Sequence, residues 1–290
     1  MSIQLICQTG KSRWIGNPII DMRFDVITLF PELISPYLEH GVNRRALALG
    51  VQVHLWNPRD FADGAYRRID DRPFGGGPGM VMLAEPLARC VDAIRLARGE
   101  VVGVKSLPDA EDRVPLVFFT PVGDPLQHAL IARFALPQPG ARGQGAVLLC
   151  GRYEGVDQRF VDAYVDCQIS LGDFVLSGGE VAAAAFLDAV LRLQPEVLHD
   201  AQSHMQDSFH PNIGGLLDCP HYTRPENWRG QSVPDVLLSG DHARIAVWRR
   251  QQSLALSAQR RPDLLAKAEQ VGQLSEQERD WLAELKRSTV

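Results

Sequence analysis

The run Ala146-Val147-Leu148-Leu149-Cys150 stops at Gly151-Arg152-Tyr153-Glu154-Gly155, and a second run, Tyr164 to Leu171, stops at Gly172-Asp173-Phe174-Val175-Leu176-Ser177-Gly178-Gly179-Glu180. Consecutive apolar residues without alternation suit a strand buried on both faces, and the helical pattern from Val156 to Ala163 supplies the crossover between two parallel strands. Working outward, Val114 to Phe119 is a third such run, ending at Thr120-Pro121-Val122-Gly123 and followed by a helical pattern over Pro125 to Phe134. Arg23 to Phe30 and Val51 to Trp56 are two further strand signals. Strands alternating with helices predict a parallel α/β sheet, with ligands beyond the carboxyl ends of the strands. Three turns, at residues 120–123, 151–155 and 172–180, then converge by topology alone.

The remaining pattern organises the chain around that sheet. Helices are predicted from Pro31 through Leu38, over Asn43 to Leu49, and over Glu85 to Arg98 through Leu87, Val91 and Ile94. Past Pro195 the texture changes, because Leu198 to Gly215 is polar, histidine-rich and without periodicity, as in a linker or a mobile active-site segment. Asp241 to Ala258 is a long amphipathic pattern, and Ser275-Glu276-Gln277-Glu278 has capping-box spacing ahead of a last helix. Met1 to Asp21 shows little periodicity, and Met22 stands directly before the first strand signal, so the domain is expected to start there.

Length and composition narrow the class. At roughly 150 residues per domain, 290 residues suggest two domains, and 45% hydrophobic with 22% charged residues is ordinary for a globular chain. The 35 Asp+Glu exceed the 30 Lys+Arg, so no global field draws in a polyanion and any nucleic-acid site must be local. Cys7, Cys90, Cys150, Cys167 and Cys219 form no C-x-x-C pair and read as reduced thiols without zinc. The most apolar stretch, Val181 to Leu193, is too short for a bilayer and is broken by Asp188 and Arg192. The N-terminus lacks a signal-peptide pattern, so the expected location is cytoplasmic.

Several segments carry candidate chemistry. Gly75-Gly76-Gly77-Pro78-Gly79 fails the G-x-G-x-x-G pattern because Met80 occupies the third glycine position, and G-x-x-x-x-G-K-[ST] is absent. With Arg67, Arg68 and Arg72 beside it, the run is either a flexible turn or a phosphate-binding loop. Ser177 to Glu180 opens a helix, as a capped turn or as a ligand-binding N-terminus. Glu154, Asp157, Asp162, Asp166 and Asp173 lack calcium-loop spacing. His199, His204 and His210, interleaved with Asp200 and Asp207, match no zinc pattern and read as a polar linker. Within that linker Asp207 is a candidate general base if the segment closes over a site. His221, Tyr222, Arg224 and Trp228 combine stacking and cationic groups suited to single-stranded RNA, or form an ordered loop packed on helices. Arg244, Arg249 and Arg250 follow on the next helix.

Four motifs in order, Asp70-Asp71-Arg72-Pro73-Phe74-Gly75-Gly76-Gly77-Pro78-Gly79-Met80, Cys150 to Asp157, Gly172 to Glu180 and Leu216-Leu217-Asp218-Cys219-Pro220-His221-Tyr222-Thr223-Arg224-Pro225, resemble the bacterial tRNA (guanine-N1)-methyltransferases of the SPOUT superfamily. The resemblance runs from Met22 nearly to the C-terminus. It implies an α/β domain over residues 22–198 with a deep trefoil knot, a flexible linker over 199–211, and a smaller helical C-terminal tRNA-binding domain over 212–290. Residues 1–21 stay outside the fold. It also implies a homodimer with the active site at the subunit interface.

The same resemblance implies S-adenosylmethionine (SAM) held by three loops, at Thr120, Pro121 and Gly123; at Gly151, Tyr153 and Glu154; and at Leu171, Gly172, Asp173, Phe174, Val175, Leu176, Ser177, Gly178 and Gly179. Asp207 and Arg192 match the family's catalytic pair, with Glu154 either orienting Arg192 or holding Mg2+, which some members need. The tRNA would meet Arg68, Arg72, His221, Tyr222 and Arg224. The implied substrate is the guanosine at tRNA position 37, preceded by a guanosine. Phe174 and Ala182 depart from the family's usual tyrosine and proline. Chemically, guanine N1 carries a proton, so Asp207 would remove it while Arg192 stabilises charge spreading onto O6. Flipping the base costs little in a loop that is already single-stranded. A ribose 2′-O-methyltransferase of the same superfamily and a non-catalytic RNA-binding protein are the alternatives.

Overall fold

In the computed structural model, which describes residues 20–106, 113–136, 144–198 and 203–288, the five apolar runs form one sheet. The first unit runs β1 (Arg23–Ile27), α1 (Ser35–Leu38), α2 (Gly41–Ala48), β2 (Gln52–Trp56), β3 (Asp70–Asp71), β4 (Val81–Met82) and α3 (Ala84–Arg98). It continues with β5 (Leu116–Pro125), α4 (His128–Ala135), β6 (Gly145–Cys150), α5 (Gln158–Tyr164), β7 (Cys167–Ser170) and α6 (Glu180–Leu191). The sheet order is β2-β1-β6-β5-β7, with every pair parallel. β3 and β4 pair separately.

Burial of both sheet faces accounts for the unbroken apolar runs. Along β6, Ala146, Leu148 and Cys150 face one cluster with Phe24, Val26, Ile131 and Phe186, while Val147 and Leu149 face another with Leu87, Val91, Ile94 and Phe160. A polar residue inside such a strand needs full compensation. Asp25 of β1 receives it, accepting from Arg23 at 2.8 Å, Arg98 at 2.7 Å and the Trp56 indole at 2.8 Å.

The elements depart from the sequence reading where proline or long-range pairing intervenes. Residues 31–38 split into a short 3₁₀ turn, Pro31–Leu33, and α1, because Pro36 has no N–H to continue a helix. The turn expected to end the strand at Thr120 to Gly123 lies within β5. Its register against β7 shifts between Phe119 and Asp124, so that Asp124 and Pro125 pair again with Ile169 and Ser170. Residues 120–123 are therefore an outward excursion of one strand.

The packed unit also begins before Met22. Ile20 is buried in the core, and its N–H donates to Leu49 O at 3.2 Å. Residues 1–19 of the expected extension lie outside the described residues.

The division between the two units falls between Leu198 and His199. The second contains the hairpin β8 (Asn227–Trp228) and β9 (Gln231–Ser232), then α7 (Asp235–Leu238), α8 (His242–Arg260), α9 (Pro262–Gln270) and α10 (Glu276–Ser288). Leu216, Leu254, Leu265, Ala268, Leu274 and Leu282 form its core. The capping box closes in both directions, with Ser275 N–H donating to Glu278 Oε2 at 2.7 Å and Glu278 N–H to Ser275 Oγ at 3.3 Å. Residues 199–202 lie outside the described residues. The rest of the expected linker is tied into this unit, since Phe209 N–H donates to Leu216 O at 2.7 Å and Asp218 N–H to Ser208 Oγ at 2.9 Å. Such single bonds in irregular chain leave no periodicity to read.

A chain truncated to begin at Met22 is expected to lose about 2 kcal/mol of stability through the buried Ile20 side chain, whereas one beginning at Ile20 keeps it. Urea unfolding of the two truncations measures the difference.

Candidate active site

Residues 120–121, on the excursion of β5, and residues 151–155 and 171–179, beyond the carboxyl ends of β6 and β7, meet around an opening of about 200 Å³. Of the residues expected to bind cofactor, Thr120, Pro121, Gly151, Tyr153, Glu154, Leu171, Phe174, Val175, Leu176, Ser177, Gly178 and Gly179 line it. Gly123, Gly172 and Asp173 do not. Gly123 lies flat on β7, where a Cβ would run into the backbone of Gln168 and Ile169. Gly172 is covered by the Phe174 ring, 2.7 Å from the Cβ position, and Asp173 is exposed.

Two of the glycines that line the opening are required by the chain itself. Gly179 N–H donates to Gly151 O at 3.0 Å, and a Cβ at Gly179 would stand 2.8 Å from Cys150 Cα. At Gly178 a Cβ would run into the Arg152 guanidinium. Neither position has room for a side chain, because protein atoms occupy that space.

Nor does Ser177 or Glu180 cap α6 through its side chain. Glu180 turns inward, is 2% exposed, accepts from Thr28 Oγ1 at 2.8 Å and pairs with Arg152 at 2.9 Å. Arg152 also lines the opening and was not legible from spacing, since its partners Phe30 and Glu180 lie far away in the chain.

The glycine-rich loop docks beside the opening. Glu154 N–H donates to Met80 O at 3.0 Å and Met82 N–H to Gly155 O at 2.9 Å. The Glu154 side chain fills the space where a Cβ on Gly79 would lie. Tyr153 has φ of 61°, in the left-handed region. Burial, with the Asp70 charge next, pushes its hydroxyl pKa up. Cys150 lies directly behind, and burial, reinforced by Glu180, pushes its thiol up so that it stays protonated. Arg68 pairs with Asp71 at 2.7 Å on the surface, and Arg72 is exposed.

Arg192 is not brought to this opening within one chain. It caps the far end of α6, some thirteen residues beyond Gly179, or about 20 Å at the helical rise.

In the second unit, Asp207 is half-buried, and its carbonyl accepts from His210 N–H at 3.1 Å. The next turn is capped by His210, whose Nδ1 accepts from Asn212 N–H. Burial and the neighbouring His204 push the His210 pKa down, against the pull of Asp207. His221 bonds Asp218 at 2.8 Å, and Tyr222 meets Trp248 with ring centroids 6.1 Å apart. His221, Tyr222, Trp248 and Arg224 line a separate cleft with Arg249. Among the described residues, Asp218, Cys219 and His221 form the one group of three such ligand atoms within 4.8 Å of one another. Glu154 belongs to no such group. No helix among the described residues is long and apolar enough to cross a membrane.

The first unit is thus a parallel α/β sheet with an opening at one end, and the second a helical unit with a cleft lined by aromatic residues and arginines. The chain belongs to the tRNA (Guanine-1)-methyltransferase TrmD family, whose profile matches residues 22–267. It is 62% identical over 265 residues to the tRNA (guanine-N(1)-)-methyltransferase of Paracidovorax citrulli, covering 91% of this chain and 98% of the relative. It is 58% identical to the tRNA (guanine-N(1)-)-methyltransferases of Polaromonas sp. over 265 residues (91% and 97% coverage) and of Albidiferax ferrireducens over 263 residues (90% and 99% coverage).

Gly179→Ala is expected to destabilise the fold by about 1–3 kcal/mol, the usual cost of forcing atoms into packed space. Urea unfolding without any ligand checks this. A glycine kept only for ligand access would leave that transition unchanged.

Proposed function

We propose that this chain transfers a methyl group from SAM to N1 of the guanosine at tRNA position 37. The observation that carries the reading is the convergence of the β5 excursion and two strand-end loops on one opening, in a chain of this family. The opening fits the donor: Leu171, Leu176 and Ala182 offer apolar surface, and the turns at 151–155 and 172–179 offer backbone polar groups. SAM, when bound, supplies an electrophilic methyl group on a sulfonium.

The remaining work falls to the chain. Asp207 takes the N1 proton, because protonated N1 has no lone pair to attack with. Arg192 supports the charge that spreads onto O6, where a fixed guanidinium is worth most. Arg68, Arg72, His221, Tyr222 and Arg224 hold the tRNA by phosphate contact and stacking. Glu154 is the carboxylate that would hold Mg2+, which would offset phosphate charge there.

The reading includes the homodimer and the deep trefoil knot of the implied fold. About 20 Å of α6 separates Arg192 from the opening, so the arginine that completes a site comes from a second copy. Exposed Leu33, Tyr37, Val175 and Val181 offer apolar surface for that pairing. Cross-loop contacts as tight as Gly179 against Cys150 support a knotted path for these loops.

With labelled SAM and tRNA transcripts, methyl transfer is expected with guanosine at position 37 and not with adenosine, and nucleotide mass mapping should locate it on N1. Asp207→Asn should lower the single-turnover rate by about 10² to 10⁴, the range for a lost general base, with SAM affinity unchanged. A rate above half of the parent's would remove Asp207 from that role, and a 2′-O-methyl product would replace the reaction.

Mixing Leu176→Arg, which places a charge in the opening, with Asp207→Asn tests the shared site. In the proposed dimer Asp207 serves the partner copy's opening, so each heterodimer carries one composite site free of both substitutions and two inactive proteins should regain activity when refolded together.

A further inference from the structure

Arg152 has no part in the cofactor, base or RNA assignments above, yet its guanidinium stands where several segments meet. Nη2 lies 2.9 Å from Glu180 Oε2, Nη1 donates to Ser177 O at 3.2 Å, and Cζ stands 4.5 Å above the centre of the Phe30 ring. Glu180 in turn accepts from Thr28 Oγ1, at the end of β1. Residues 152 and 178 pair as a single antiparallel bridge, and Gly178 leaves just enough room for the guanidinium. The Arg152 side chain is 16% exposed, so it is part of the interior wall and not a surface cation.

Two features separate this pair from one kept for stability. Arg152 Nε and Glu180 Oε2 are buried without a well-directed hydrogen bond, a poor arrangement if stability were its purpose, since apolar replacements of a buried pair are often neutral or better. What the pair does achieve is alignment. The planar fork reaches Ser177 and Glu180 at once while stacking on Phe30, which a lysine ammonium does not reproduce. The backbone that follows carries Tyr153, in its left-handed conformation, and Glu154 directly into the opening. Left-handed non-glycine residues persist where surrounding contacts over-determine them.

We propose that Arg152 is a positioning residue for the methyl donor: with Glu180 and Phe30 it clamps residues 151–155 to residues 177–180 and sets the width of the opening. The proposal rests on the reading that SAM occupies this opening, and it assigns Arg152 no contact with reacting atoms. Removing the clamp should therefore act on donor binding and leave chemistry at saturating donor nearly intact.

The test is the full-length double variant Arg152→Met/Glu180→Gln, which leaves no uncompensated buried charge. It should melt within a few degrees of the parent. Its SAM dissociation constant by calorimetry should weaken about tenfold, with KM for SAM rising in step and kcat changing less than about threefold. Arg152→Lys should fall between the two, because it keeps the charge and loses the fork. A folded double variant that binds SAM within about twofold of the parent overturns the proposal, as does an Arg152→Lys protein indistinguishable from it. Should the double variant not fold, Phe30→Leu decides. It leaves every charge in place and removes only the aromatic shelf, so weaker SAM binding upholds the clamp and unchanged binding refutes it. Failure of the parent to bind SAM would instead overturn the reading of the opening, which the first calorimetric titration reports separately.

Discussion

The close approach of Gly179 to the end of β6 governs how the rest of the first unit is arranged. A Cβ there would meet Cys150 Cα at 2.8 Å and Gly151 N at 3.2 Å, so glycine alone lets α6 start this near the strand. The bond from Gly179 N–H to Gly151 O sets the separation. From that start α6 runs across the sheet with Phe186 meeting Phe24, Phe119 and Phe134 edge-on. The preceding loop must then turn beside residues 151–155, which brings Gly178 against Arg152. Core packing and the rim of the opening are consequences of one backbone contact.

The same joint determines the chemical character of the opening. Next to Gly151 and Gly179, and not among the residues that line the opening, are a buried thiol, Cys150, and a buried carboxylate, Glu180. Burial and the Glu180 charge hold the thiol protonated, and Thr28 with Arg152 occupy the carboxylate. The residues that line the opening are mainly apolar side chains and glycines, with Thr120, Arg152, Tyr153, Glu154, Ser170 and Ser177 as its polar members.

Net charge does not reveal how an acidic protein engages RNA. Many arginines of the first unit are already neutralised by local carboxylates, among them Arg67 by Asp60, Arg68 by Asp71 and Arg89 by Asp63. Exposed ion pairs of this kind contribute little to stability and exchange readily for phosphate. Arg224 and Arg249 instead line a cleft with Tyr222 and Trp248, where stacking and charge act together.

Unbroken apolar runs, the glycine turns that end them and the Ser275-Glu278 cap were legible in the sequence, because each records a conformation or burial pattern of a few neighbouring residues. The parallel α/β class, the converging loops and the helical second unit follow from them. The burial of Ile20, the re-pairing of β5 beyond Gly123 and the separation of Arg192 from the opening were not legible. Nor was the division of glycines between those that face the opening and those that face protein. These depend on segments far apart in the chain: Thr28 meets Glu180 across 152 positions, and Arg152 fits only because Gly178 lacks a side chain. Local spacing determines which elements form, but whether a glycine makes room for a ligand or for an arginine is decided by steric exclusion between elements, and that exists only in the folded chain.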